Sequence, residues 1–146
     1  MLFLAACAQK TESGANTGGA ASGASTATAG SREDFIQNVG DRVFFDFDRS
    51  NIKPEGQQTL QRQAAWLQKY ANAKITIEGH CDERGTREYN LALGERRATA
   101  VKRALVALGI PAGRISTISY GKERPAVVGS NEAAWAQNRR GVTVVQ

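Results

Sequence analysis

At 146 residues, 41% hydrophobic and 23% charged, the chain has the length for one domain and the composition of an ordinary globular one. The formal net charge of +5 favours an anionic setting, but Lys and Arg are interleaved with Asp and Glu, which argues against a polybasic nucleic-acid arm. The sequence also lacks zinc-finger spacing, an aromatic RNA-binding signature and an arginine-rich tail.

The chain opens MLFLAAC, an apolar run ending in two small residues before a thiol. It is far too short to span a bilayer, which takes about 20 apolar residues. It reads as the end of a secretory signal, whose cleavage site needs small side chains. Leu4-Ala5-Ala6-Cys7 resembles the bacterial lipobox. That resemblance implies lipidation of Cys7, which becomes the mature N-terminus, and Ala8 in place of Asp implies sorting to the outer membrane. No basic segment precedes the run, a departure that fits a sequence beginning inside its precursor. Several acyl chains hold far better than one, at about 0.8 kcal/mol per buried CH₂.

Residues 8–31 contain no Val, Ile, Leu or aromatic side chain. With so little to bury they cannot offset the entropy of ordering, and a flexible Gly/Ser/Ala/Thr linker is expected there. Such a coil would span roughly 25–30 Å on average and about 80 Å at full stretch. A single domain is expected over 32–146, after a signal remnant at 1–7 and the linker at 8–31.

Val43-Phe44-Phe45-Asp46-Phe47 reads as a strand, and the loop Asp48 to Lys53 leads to Pro54, placed to start a helix. From Glu55 to Ala71, Leu60, Ala64, Leu67 and Ala71 recur at helical spacing. Residues 74–80 alternate as a half-buried strand, with Ile75 and Ile77 on one face. A polar turn from Cys81 to Arg87 precedes a second helix, about 88–108, whose stripe is Leu91, Ala98, Val101, Leu105 and Leu108. Gly109 and Pro111 stop it. Residues 115–120 read as a third strand, 131–138 as a short helix and 142–145 as a last strand. Strands alternating with helices predict an α+β fold of two layers, helices on one sheet, in the order β-α-β-α-β-(α)-β.

The chemistry concentrates in Gly79-His80-Cys81-Asp82-Glu83-Arg84-Gly85-Thr86-Arg87-Glu88-Tyr89-Asn90, running on to Glu95-Arg96-Arg97-Ala98. Asp82 follows a strand end, and Arg97 lies about two turns into the next helix. A strand–loop–helix connection can bring the two to one loop mouth, where the carboxylate would take an ammonium and the guanidinium a carboxylate. The N-terminus of the second helix adds N–H donors for an anionic group. A structural ion pair between Asp82 and Arg97 is the alternative. Arg96 points about 100° away from Arg97, so the two cannot share one pocket. Arg139 and Arg140 read as surface or packing residues.

These stretches, with FFDFDRSNI at 44–52, ISYGKERPAV at 118–127 and NEAAWAQNRRGV at 131–142, are similar to the OmpA-like peptidoglycan-binding domain, and closely to its peptidoglycan-associated lipoprotein branch. The resemblance covers 43–146 in order and spacing. It implies a mixed four-stranded sheet and a non-enzymatic role: holding the diaminopimelate residue of the peptidoglycan stem peptide. By position, Asp82 and Arg97 would contact that residue, and Phe47 and Asp48 would line its pocket. It further implies partners of the Tol–Pal system, TolB and TolA, an outer-membrane location facing the periplasm, and a part in envelope integrity and cell division. Gly141 stands where Ala is common, and a looser entry to the last strand is expected.

A peptidoglycan hydrolase or amidase is the competing class, but no carboxylate pair has an evident acid–base setting. His80 is the sole histidine, too few for a zinc set, and no metal or other cofactor is expected. If the strand continues, Cys81 faces away from both His80 and Asp82, so His80 cannot activate it. A disulfide joining Cys7 to Cys81 would tie leader to domain and is unattractive. Cys81 is expected to be a buried small residue.

Overall fold

The structure, a computed structural model, describes residues 26–146. The lipidation expected at Cys7 and most of the linker expected over 8–31 lie outside the described residues. The first described element is α1 (Arg32–Asp34), continued by a π-helical turn over Phe35–Val39. Ser31 caps it by accepting the Asp34 N–H. There follow β1 (Arg42–Phe44), α2 (Pro54–Lys69), β2 (Ile75–His80), α3 (Arg87–Ala107), a 3₁₀ turn at Ala112–Arg114, β3 (Ile115–Gly121), α4 (Glu132–Asn138) and β4 (Arg140–Val145).

The strands form one sheet in the order β1-β4-β2-β3. β4 runs antiparallel to both β1 and β2, whereas β2 and β3 are parallel, so the sheet is mixed as expected. A parallel pair needs a crossover, and α3 supplies it, packing on β2 and β3 while α2 packs on β1. The core is continuous between the layers. Leu60 and Leu67 of α2 and Ala98, Val101 and Leu105 of α3 close on Ile75, Ile77, Ile115 and Val145 of the sheet. No helix among the described residues is long and apolar enough to cross a membrane.

One contact sets how closely α3 can lie on the sheet. Gly79 of β2 and Gly94 of α3 touch backbone to backbone: a Cβ on Gly79 would stand 1.7 Å from the Gly94 carbonyl oxygen. Only glycine at both positions lets the helix come this near, and the approach brings the first half of α3 beside the end of β2.

Three expectations need correction. The first strand ends at Phe44 rather than Phe47. Phe45 N still bonds Arg139 O at 2.9 Å, but the chain then turns, with Arg49 N on Asp46 O at 3.1 Å and Asp48 in the left-handed region at φ 58°. The second helix does not bury Leu91, which is exposed; its inward face carries Asn90, Leu93, Gly94 and Arg97 before Ala98. The apolar-stripe rule fails there because that turn of α3 faces backbone carbonyls at the end of β2 and in the loop after it rather than the core. Gly141 does not loosen the last strand: a Cβ there would meet Val101 Cγ2 at 3.1 Å and Phe45 Cε2 at 3.4 Å, a site already tight.

The α1 segment is an element absent from the sequence-based expectation. Its Phe35 is buried edge-on against Trp66, ring centroids 5.0 Å apart. Asp34 accepts from Trp66 Nε1 and Gly30 N, and Arg32 Nε donates to Val145 O. These bonds seat the segment across α2 and the end of β4.

Candidate functional site

A cleft of about 190 Å³ opens where β2 runs into α3. Phe47 and Asp48 border it from the β1–α2 loop, Asp82, Arg84 and Gly85 from the β2–α3 loop, and Tyr89, Leu93 and Arg97 from α3. All four residues singled out from the sequence for ligand contact, Asp82, Arg97, Phe47 and Asp48, therefore stand around one cavity.

The loop that carries Asp82 is held from three sides. Cys81 N donates to Gly121 O at 2.8 Å and its thiol to Asn90 O. Buried Asn90 donates its side-chain amide to Arg84 O and Thr86 O, clasping the turn that Gly85 makes at φ 99°. Thr86 caps α3 by accepting the Tyr89 N–H. That cap uses one of the helix donors expected to face an anion.

Asp82 and Arg97 do not pair with each other. Arg97 is buried, and it donates to three backbone carbonyls: Arg49 O at 2.8 Å, His80 O at 2.9 Å and Asp46 O at 3.0 Å. It pins the β1–α2 loop to the end of β2, which is why the first strand stops short. A guanidinium has five N–H donors, so these three bonds leave one N–H on each of Nη1 and Nη2. Burial is the main influence on its titration and lowers it, partly countered by the charge of Asp82.

Asp82 is bound instead by two other arginines. Arg84 contributes its backbone N–H at 3.0 Å, Nε at 3.2 Å and Nη2 at 2.9 Å. Arg139 Nη1 faces the far oxygen at 3.5 Å and has no other acceptor. Burial by itself would raise the Asp82 carboxyl, but the hydrogen bonds and charge of Arg84 and the Arg139 contact outweigh it, and the group titrates below the usual carboxylate range. It is a buried, ionised acceptor at neutral pH.

Arg84 and Arg139 are the site's neighbours that sequence reasoning missed. Arg139 is not a surface residue: buried, it donates from Nε to Phe45 O at 2.8 Å and from Nη2 to Glu132 at 2.9 Å. Arg140 is buried as well, bonding Asn138 O and Arg124 O. The signal available was the position of both at a strand start, where backbone carbonyls of incoming loops need donors. The Arg84 guanidinium carbon lies 3.9 Å from the ring centroids of both Phe47 and Trp135, within cation–π range. At the other rim, Tyr89 donates its hydroxyl to Asp48.

Cys81 is a free, buried thiol pushed up to about 11 by burial, so at neutral pH it is the unreactive thiol form. His80 stacks on Tyr120 and bonds Glu78, with its ring turned to the sheet face away from α3. Among the described residues no group of three or more His, Cys, Asp or Glu could hold a metal ion.

The sequence profile of the OmpA family matches residues 44–139. A peptidoglycan-associated lipoprotein of Brucella melitensis is 56% identical over 144 residues, covering 99% of this chain and 86% of the relative. One from Rhizobium meliloti is also 56% identical over 144 residues, covering 99% of this chain and 82% of its own. The crystal structure of the peptidoglycan-associated lipoprotein from Burkholderia pseudomallei superposes with a TM-score of 0.72 at 43% identity, covering 76% of this chain and 98% of that one.

Proposed function

Because this chain belongs to the OmpA family, in its peptidoglycan-associated lipoprotein branch, we propose that it binds peptidoglycan through the cleft at the β2–α3 junction and leaves the polymer chemically unchanged. The group held is the zwitterionic end of diaminopimelate in the stem peptide. Its ammonium goes to Asp82, its carboxylate to the Arg97 guanidinium, with Phe47 and Asp48 along the side.

One observation carries this reading. A buried carboxylate and a buried guanidinium line the same cleft without neutralising each other. A negative and a positive pole that are not paired with each other across one cleft suit a ligand that brings both opposite charges. At about 190 Å³ the cleft has the volume of about six waters, a size for an amino-acid head rather than a sugar chain. Hydrolysis has less support: Asp82 is held ionised and so is poor as a general acid, and the Cys81 thiol is neutral.

With Cys7 acylated in the outer membrane and the segment 8–31 as leader, such a domain would tether membrane to wall. Engagement of TolB and TolA, and through them a part in cell division and envelope integrity, belongs to the same proposal.

The test is co-sedimentation of the full chain with purified sacculi. Asp82→Asn keeps the shape and removes the charge, and loss of retention is expected. Retention equal to the unmodified chain would overturn the site, and release of soluble muropeptides during incubation would overturn the non-enzymatic role.

A further inference from the structure

Asp82 has no acceptor capacity to spare. A carboxylate offers about four lone-pair positions. Oδ1 takes the Arg84 N–H and Nε, and Oδ2 takes Arg84 Nη2 and faces Arg139 Nη1. Any ammonium that is to reach this carboxylate has to replace one of those donors. Arg139 cannot yield: its side chain is 8% exposed, and its Nε and Nη2 are committed to Phe45 O and Glu132. The Arg84 side chain is 33% exposed, and its guanidinium hydrogen bonds go to Asp82. Otherwise it only rests against Phe47 and Trp135.

We infer that Arg84 is a displaceable internal competitor: its guanidinium occupies the position at Asp82 that a ligand ammonium takes, and binding swings it away. The inference rests on the proposed pairing of Asp82 with an ammonium and deepens it. A buried carboxylate whose bound cation lies against two aromatic faces is a cation site by its chemistry, and Arg84 marks where the cation sits. The same residues then set specificity. Only a ligand whose cation competes with a bidentate, ring-flanked guanidinium gains entry, so a primary ammonium is selected over its neutral acylated form. Released into solvent at the cleft mouth, the guanidinium is also free to meet an anionic group on the ligand.

The competition lowers apparent affinity by the fraction of time that Asp82 is open. The experiment titrates the full chain with a soluble disaccharide–tripeptide muropeptide carrying diaminopimelate, and with the same muropeptide N-acetylated on the diaminopimelate ammonium. Arg84→Ala is expected to bind the free-amine probe about tenfold more tightly, as for an open fraction of about one tenth. Arg84→Lys, which restores a weaker, single-point competitor, should fall between Arg84→Ala and the unmodified chain. The acetylated probe should show no gain in either variant, a discrimination that a merely structural Arg84 would not produce.

Weaker binding by Arg84→Ala would make Arg84 a direct ligand contact and overturn displacement, and so would affinity unchanged within about twofold. If Asp82→Asn abolishes binding while Arg84→Ala brings no gain, displacement is overturned and the site reading stands. If Asp82→Asn binds like the unmodified chain, both fall.

Discussion

Arg97 has a structural role that interferes with any test of the ligand contact proposed for it. Its three bonds to Arg49 O, His80 O and Asp46 O hold the cleft walls together, so removing it takes a donor from each, and of the three Asp46 O keeps the Arg49 N–H. Each buried carbonyl left bare costs about 1–3 kcal/mol. Arg97→Met is therefore expected to lower stability by about 3 kcal/mol or more, measured as a shift of the urea midpoint. Charge removal at Asp82 is the cleaner probe of binding. His80 carries a separate, pH-dependent cost. Burial lowers its pKa below the ordinary 6.5, Glu78 offsets this in part, and the positive charges of Arg140 and Arg124 add to it. With Nε2 on Glu78, its Nδ1 is buried without a partner. The unfolded chain thus binds a proton that the folded one resists between the folded pKa and about 6.5, so stability falls as pH drops through that window. Urea midpoints at about pH 7.5 and about pH 5.5 should differ less in His80→Gln than in the unmodified chain.

At the scale of elements, the contact between β2 and α3 decides whether a site exists. The Gly79–Gly94 approach sets α3 so close to the sheet that Asn90 and Arg97 reach the loop after β2. In Gly79→Ala the new methyl would overlap the Gly94 carbonyl, a backbone atom that cannot swing aside as a side chain would. The helix must lift, and both stability and retention on sacculi are expected to be lost together, checked by thermal unfolding alongside the wall pull-down. The α1 segment acts differently. It adds Phe35 to the core through Trp66, and its eight residues, REDFIQNV, are too few to show a periodic apolar stripe. Its helix exists because α2 offers a partner surface, a tertiary cause invisible to local pattern.

For the molecule as a whole, the proposed tether joins an anchor, a leader and a wall-binding domain. Cys7→Ser in the full precursor is expected to move the protein from the outer-membrane fraction to the soluble periplasmic one, read by fractionation and immunoblot. The site lies at one end of the sheet, where the β1–α2 and β2–α3 loops and the start of β4 converge. The sequence by itself determined the α+β order of elements, because periods of two and 3.6 with Gly and Pro punctuation are local properties. Through its resemblance to the OmpA-like domain it also singled out Phe47, Asp48, Asp82 and Arg97, which line one cleft. Only the tertiary structure decided which charges meet. Arg97 went to backbone carbonyls and Asp82 to Arg84 and Arg139, because pairing depends on how close α3 lies to β2 and on which loops lack donors. Those are properties of the packed layers, and no spacing along the chain encodes them.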